Sequence, residues 1–162
     1  MSGIIGEAGS RSGIIGQVLA PNQPSFTVYP SSTQENLSIN TYVGIAWGTE
    51  LTDNGGNFDS NVFTAPVAGN YWFSCSLVVS WVNITSINYF FVALMKNAGY
   101  FRNFGMIDPE AFDAEPEYVT LSSSCVMNMA ANDTAGIAIY QSGGTAQADV
   151  VDGSTFSGFL IG

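Results

Sequence analysis

Histidine is absent from this chain of 162 residues, lysine and arginine together occur three times, and cysteine twice. Each shortage removes a class of chemistry. Without an imidazole there is no Ser–His or Cys–His pair to make a nucleophile. With two thiolates and no imidazole, the usual zinc combinations cannot be assembled. Three cations, Arg11, Lys96 and Arg102, stand against 13 acidic residues for a formal net charge of −10. That is the wrong sign for a phosphate backbone, so nucleic acid is excluded as a partner. No apolar run approaches the ~20 residues of a membrane span, and no basic segment leads into an apolar one at the start, so neither a membrane nor an export signal is expected.

Charge of either sign is scarce: 10% of the residues are charged, against about 25% in an ordinary soluble domain. Hydrophobic residues make up 46% and aromatics 13%. A lone domain with so few charges would leave large apolar patches in water, so the composition predicts self-association or membership of a larger assembly. The length suits one domain with a sizeable core, plus an arm.

What fills the periodic stretches is Val, Ile, Thr, Tyr, Phe and Ser, and nothing repeats at helical spacing, which predicts an all-β body. From Tyr71 to Val82 the residues Tyr71, Phe73, Cys75, Leu77, Val79 and Trp81 alternate with Trp72, Ser74, Ser76, Val78, Ser80 and Val82. A period of two sends the first set inward. A second run, Val119 to Met129, places Cys125 on its apolar side in the same way. Both thiols are therefore expected to face the core, and whether they pair stays open, because pairing needs neighbouring strands with Cα atoms within about 7 Å.

Further strands are predicted at 25–28, 42–47, 88–95, 135–140 and 156–161, with turns at DNGG (53–56), NAG (97–99), AND (131–133) and SGG (142–144). Many short strands between turns predict a sandwich or barrel. Two of them have no polar face: in NYFFVALM, Tyr89, Phe91, Ala93 and Met95 oppose Phe90, Val92 and Leu94, and near the end Phe159 and Ile161 oppose Phe156 and Leu160. One face of an antiparallel sheet ordinarily meets water, so such strands call for a second cover, most simply another subunit.

The stretch GMIDPEAFDAEPE, 105–117, holds Asp108, Glu110, Asp113, Glu115 and Glu117 with two prolines and reads as an exposed loop. Catalytic carboxylate pairs face each other across a cleft, and these crowd one segment, so an enzyme is not expected. DNGGNFD at 53–59 offers oxygen ligands but lacks the spacing and final glutamate of an EF-hand. Calcium at these loops stays open; no metal and no cofactor is predicted.

Residues 1–24 form an extended arm in which SGIIG is written twice, Ser2 to Gly6 and Ser12 to Gly16. Glycine lets a chain follow a foreign surface, and the pairs Ile4–Ile5 and Ile14–Ile15, with Arg11 between them, offer small apolar plugs. Fully extended, the arm could reach about 80 Å. Repetition on several copies would add avidity without strong single contacts.

Read together, FTAPVAGNYWFS (63–74), VALMKNA (92–98), MAANDTAGIAI (129–139) and FSGFLI (156–161) resemble the globular head of complement component one-q and, more distantly, the tumour necrosis factor fold. The resemblance covers residues 25–162, with Asn132 standing where that family usually has glycine before the aspartate. It implies an antiparallel jelly-roll sandwich that assembles as a homotrimer about an apolar axis. Carried over by position, Tyr89, Phe91, Phe159 and Ile161 are the implied trimer-interface residues. The opening arm resembles the short arms of small virion proteins of tailed bacteriophages. That resemblance implies a capsid decoration, or cement, protein on the virion surface, held to the major capsid protein by its arm. The rival expectation is the receptor-binding knob of a head or tail fibre, touching a host-surface ligand through Tyr100, Phe101, Phe104 or Phe112.

Overall fold

The computed structural model of the protein describes residues 23–80, 87–114, 116–145 and 147–161. Its strands are β1 (Ser25–Tyr29), β2 (Tyr42–Gly44), β3 (Thr49–Asn54), β4 (Phe58–Asp59), β5 (Val62–Thr64), β6 (Gly69–Ser80), β7 (Ile87–Lys96), β8 (Gly99–Ile107), β9 (Tyr118–Met129), β10 (Thr134–Gly143), β11 (Asp149–Val150) and β12 (Thr155–Leu160). They form two antiparallel six-stranded sheets. In sheet A the order is β9, β6, β12, β1, β3, with β11 paired to the far end of β6 on the same side as β12. In sheet B, β8, β7 and β10 run side by side, and β5 and β2 share the other edge of β10, with β4 beyond β5. The all-β jelly-roll sandwich read from the sequence is the fold the chain adopts.

The inner faces are built by the alternation itself. Along β6, Tyr71, Phe73, Cys75, Leu77 and Val79 are buried, while Trp72, Ser74, Ser76 and Val78 on the other face are half-buried. On β9 the inward set is Val119, Leu121, Met127 and Met129. Sheet B answers with Phe90, Val92 and Leu94 of β7 and Ile137 and Ile139 of β10. At one end the core is aromatic: the Phe26 ring centroid lies 4.9 Å from Phe58, 5.0 Å from Phe63 and 4.9 Å from Phe156. Ring packing of this kind adds to simple area burial.

One glycine in that region is required by space. A Cβ on Gly158 would meet Phe73 Cδ1 at 2.6 Å and Phe26 Cε1 at 2.8 Å. The FSG of the last strand is therefore the imprint of two phenylalanine rings. Asn132 has φ +70°, the left-handed conformation where glycine or asparagine is the usual occupant. Asn97 and Ala98 both take positive φ, 51° and 61°, and form the two-residue turn between β7 and β8 that the NAG motif announced.

Some expectations change. The 42–47 strand pairs only as far as Gly44; Ile45 N still donates to Ile137 O at 3.1 Å, and then Trp47 N is taken by Asn61 Oδ1 at 2.7 Å. The loop predicted from residue 105 begins later, because β8 continues to Ile107. Asp108 Oδ1 then accepts from Glu110 N at 3.0 Å and caps a single 3-10 turn, Pro109–Ala111, whose proline is buried. Strands β3, β4, β5, β8 and β11 were not read from the sequence. Trp81 and Val82 of the predicted 71–82 strand lie outside the described residues, and among those described no helix is long and apolar enough to cross a membrane.

Candidate functional site

The strands β1, β6, β9 and β12, adjacent in sheet A, contain no Asp, Glu, Lys or Arg. In a chain of net charge −10, the outer face of these four strands is thus left neutral, and the acidic residues of the sheet, Glu50 and Asp53 on β3 and Asp149 on β11, stand at its margins. Its middle is carpeted with hydroxyls: Ser74, Ser76, Ser122, Ser124 and Ser157 sit in register across β9, β6 and β12. Ser122 Oγ donates to Ser76 Oγ at 2.9 Å. At one end stands an apolar nucleus. Trp72 on β6 is flanked in register by Val126 of β9 and Phe159 of β12, and the Trp72 and Phe159 rings are 5.2 Å apart.

Those side chains meet solvent: Val126 is 52% exposed, Phe159 42% and Ile161 50%. A face with aromatic anchors, small hydroxyls and no ionised group can be buried against a protein at low desolvation cost, since neutral hydroxyls need only a partner each. Charged side chains there would have to be paired or left stranded.

Tyr89 and Phe91 lie on the outer face of sheet B. With Tyr140 they form a stack in which Phe91 and Tyr140 are 5.5 Å apart at 22°, and Tyr89 and Phe91 6.1 Å apart at 22°. Tyr42 and Tyr100 close on the same cluster, 5.9 and 6.2 Å from Phe91. The four residues named for the trimer interface are therefore divided in two pairs, one on each outer face, and a single protomer does not bring them together. Trp72 and Val126 were missed because they alternate with the core set and read as a solvent face; the signal available was that this face carries no charge. The arm residues Ile4, Ile5, Arg11, Ile14 and Ile15 lie outside the described residues. Gln23 and Pro24, where the arm ends, are held: Gln23 Nε2 donates to Leu160 O, and Pro24 O accepts from Leu160 N at 3.0 Å.

Of the aromatics expected in ligand-binding loops, Tyr100, Phe101 and Phe104 are on strand β8. Phe104 is 3% exposed and belongs to the core, so it is corrected from contact residue to packing residue; Tyr100 and Phe112 remain exposed at 52% and 38%.

The acidic groups serve the backbone. Asp53 accepts from Asn57 N at 3.0 Å and Phe58 N at 3.1 Å, closing the DNGG loop. Asp133 accepts from Asn97 Nδ2 at 2.8 Å and Ala130 N at 2.8 Å and pairs with Lys96 Nζ at 2.9 Å. The Asn97 and Lys96 hydrogen bonds, then that of the backbone, hold its carboxyl down at about 2. Among the described residues no three metal-ligating side chains converge. Cys75 and Cys125 are on paired strands and both are free; the register sets Cys125 opposite Phe73 and Cys75 opposite Ser123, a diagonal arrangement. Burial pushes the Cys75 thiol far up, and raises Cys125 against the opposing pull of Arg102.

Two facing antiparallel sheets with this strand order define a jelly-roll domain. A family model for the C1q domain matches residues 25–161, and the chain belongs to that family. Among solved structures it is similar to the globular domain of zebrafish complement 1qA protein, with 19% identity and a TM-score of 0.60 over 86% of this chain and 98% of that one. It is also similar to murine APRIL, with 12% identity and a TM-score of 0.58 over 85% and 98%. A search of curated proteins found no match.

Proposed function

We propose that the protein is a homotrimeric, non-enzymatic structural module of a virion: a capsid decoration protein, fixed to the major capsid protein by the arm of residues 1–24 and displayed on the capsid surface. The observation that carries the trimer is the uncharged outer face of β9, β6, β12 and β1, with Trp72, Val126 and Phe159 at its apolar end. Packing this face about a threefold axis removes from water the surface that a charge-poor chain cannot otherwise cover. Attachment rests on the duplicated SGIIG phrase, and the acidic charge elsewhere keeps neighbouring trimers apart. The test compares the full chain with one lacking residues 1–24. The shortened protein is expected to keep a trimeric mass in light scattering and to lose co-sedimentation with capsids. Capsid binding by the shortened trimer would overturn the attachment, and a monomeric mass at micromolar concentration would overturn the trimer.

The receptor-binding knob is the second reading, favoured by the exposed tyrosines on the outer face of sheet B. Copy number relative to the major capsid protein in purified particles separates the two: comparable numbers support decoration, and a few per particle support a knob.

A further inference from the structure

Beside the ring cluster of sheet B the surface is hollow. Three small residues of adjacent strands, Gly44 of β2 and Gly136 and Ala138 of β10, line a trough with a cavity volume of about 410 Å³. That lies within the roughly 300–1,000 Å³ of small-molecule sites. The trough exists because β2 and β5 share one edge of β10: Gly44 pairs with Ala138, while Val62 comes in from β5 to within 3.2 Å of where a Gly136 Cβ would stand. A Cβ on Gly44 would meet nothing within 4 Å, so the trough is open above it.

Tyr42 belongs to both features. It lines the trough, and its ring lies 5.2 Å from Tyr140 and 6.5 Å from Tyr100. A ligand in the trough would therefore find the Tyr42 ring on one side, tilted 55° to Tyr140 and 43° to Tyr100, and, at the other end, the polar side chains of Ser60, Asn61 and Thr134. Fixed charge is kept away or already engaged: Lys96 at the end of β7 pairs with Asp133, and the carboxylate tied to this lining is that of Asp59, which accepts from Ser60 Oγ at 3.0 Å.

We infer that this trough and the tyrosine platform beside it form a binding site for an uncharged oligosaccharide. The electropositive C–H face of a pyranose meets the negative face of an aromatic ring, and its hydroxyls meet phenols, amide and hydroxyls. A second protein would be matched better by a flat surface than by a hollow floored with glycine, and an anionic sugar would face Asp59 in a chain of net charge −10.

The test titrates uncharged hexose and N-acetylhexosamine oligosaccharides, with sialylated and sulfated ones as the charged set, into the full chain by saturation-transfer NMR. Light scattering and thermal melting are followed alongside, so that the trimer is judged separately from the site. At least one uncharged oligosaccharide is expected to bind. Tyr42→Ala should weaken it tenfold or more, and Gly44→Leu, whose side chain projects into the open trough, should abolish it at unchanged mass and melting temperature. No binding by the uncharged set, binding by the charged set alone, or full binding by Gly44→Leu would overturn the site. So would a changed oligomeric mass in Gly44→Leu or Tyr42→Ala, which would make the trough a contact between copies.

Discussion

The two outer faces of the sandwich solve one problem differently. Both lie in a strongly acidic chain, and each has a neutral centre, with acidic residues such as Glu50 on β3 and Asp59 on β4 kept to edge strands. Sheet A builds that centre from a level carpet of serine and a small nucleus of Trp72, Val126 and Phe159, whereas sheet B raises a bank of tyrosines beside a floor of glycine and alanine. A level, neutral face suits a copy of the same protein; a hollow one with hydroxylated rings suits something smaller. Residue size, more than polarity, separates their roles.

The comparison breaks most severely if the nucleus of sheet A is charged. Trp72→Asp together with Phe159→Asp would strand unpaired carboxylates in each interface, and the mass in light scattering should fall to that of a monomer, with the sheet B site retained. Next in size is Gly158→Val, which drives a side chain into Phe73 and Phe26 between the two sheets. Overpacking of this kind costs about 1–3 kcal/mol, should appear as a lower denaturant midpoint, and should weaken both faces together.

A smaller effect concerns the clamp between the sheets. Lys96 of β7 donates to Asn128 O of β9 at 2.9 Å while pairing with Asp133. The Asp133 carboxyl is held at about 2 against its ordinary 3.8, so its contribution to stability is present above that ordinary value and is lost as pH falls from 3.8 toward 2. Asp133→Asn should flatten this part of the acid-unfolding curve measured by circular dichroism. Smallest is the contrast between the thiols: Cys125, half-buried at the sheet margin, should be alkylated slowly in the native protein, and Cys75 only after unfolding, as mass spectrometry would show.

The inner faces of β6 and β9 were readable because buried positions recur there at every second residue and turn residues punctuate the strands. Strand β8 was not, since Tyr100, Arg102, Asn103 and Met106 are exposed and its alternation is broken by two register shifts against β7. The short β4, β5 and β11 take their strand character from pairing with distant segments, which no local pattern carries. The site was half legible for a related reason. Tyr89 and Phe159 stood out as apolar residues on strands without a polar side, but that they belong to different sheets depends on β12 joining β6 and β7 joining β10. Trp72 was concealed among serines, and the trough depends on three small residues that mean nothing until β2 and β5 are seen to share one edge of β10.

Strand β1 is hydrogen-bonded along β12, Ser25 opposite Phe159, and Pro24 O takes the amide of Leu160. The first and last strands of the domain are thus neighbours, and the sandwich is already a closed ring in all but the covalent bond. A short linker from residue 161 to residue 23, with a new opening between Gly55 and Gly56, would permute the chain while every ladder stays paired. For anyone wishing to carry a payload on this scaffold, a cargo fused after Ile161 would emerge beside the root of the arm, whereas one inserted at Gly55–Gly56 would leave from the turn between β3 and β4.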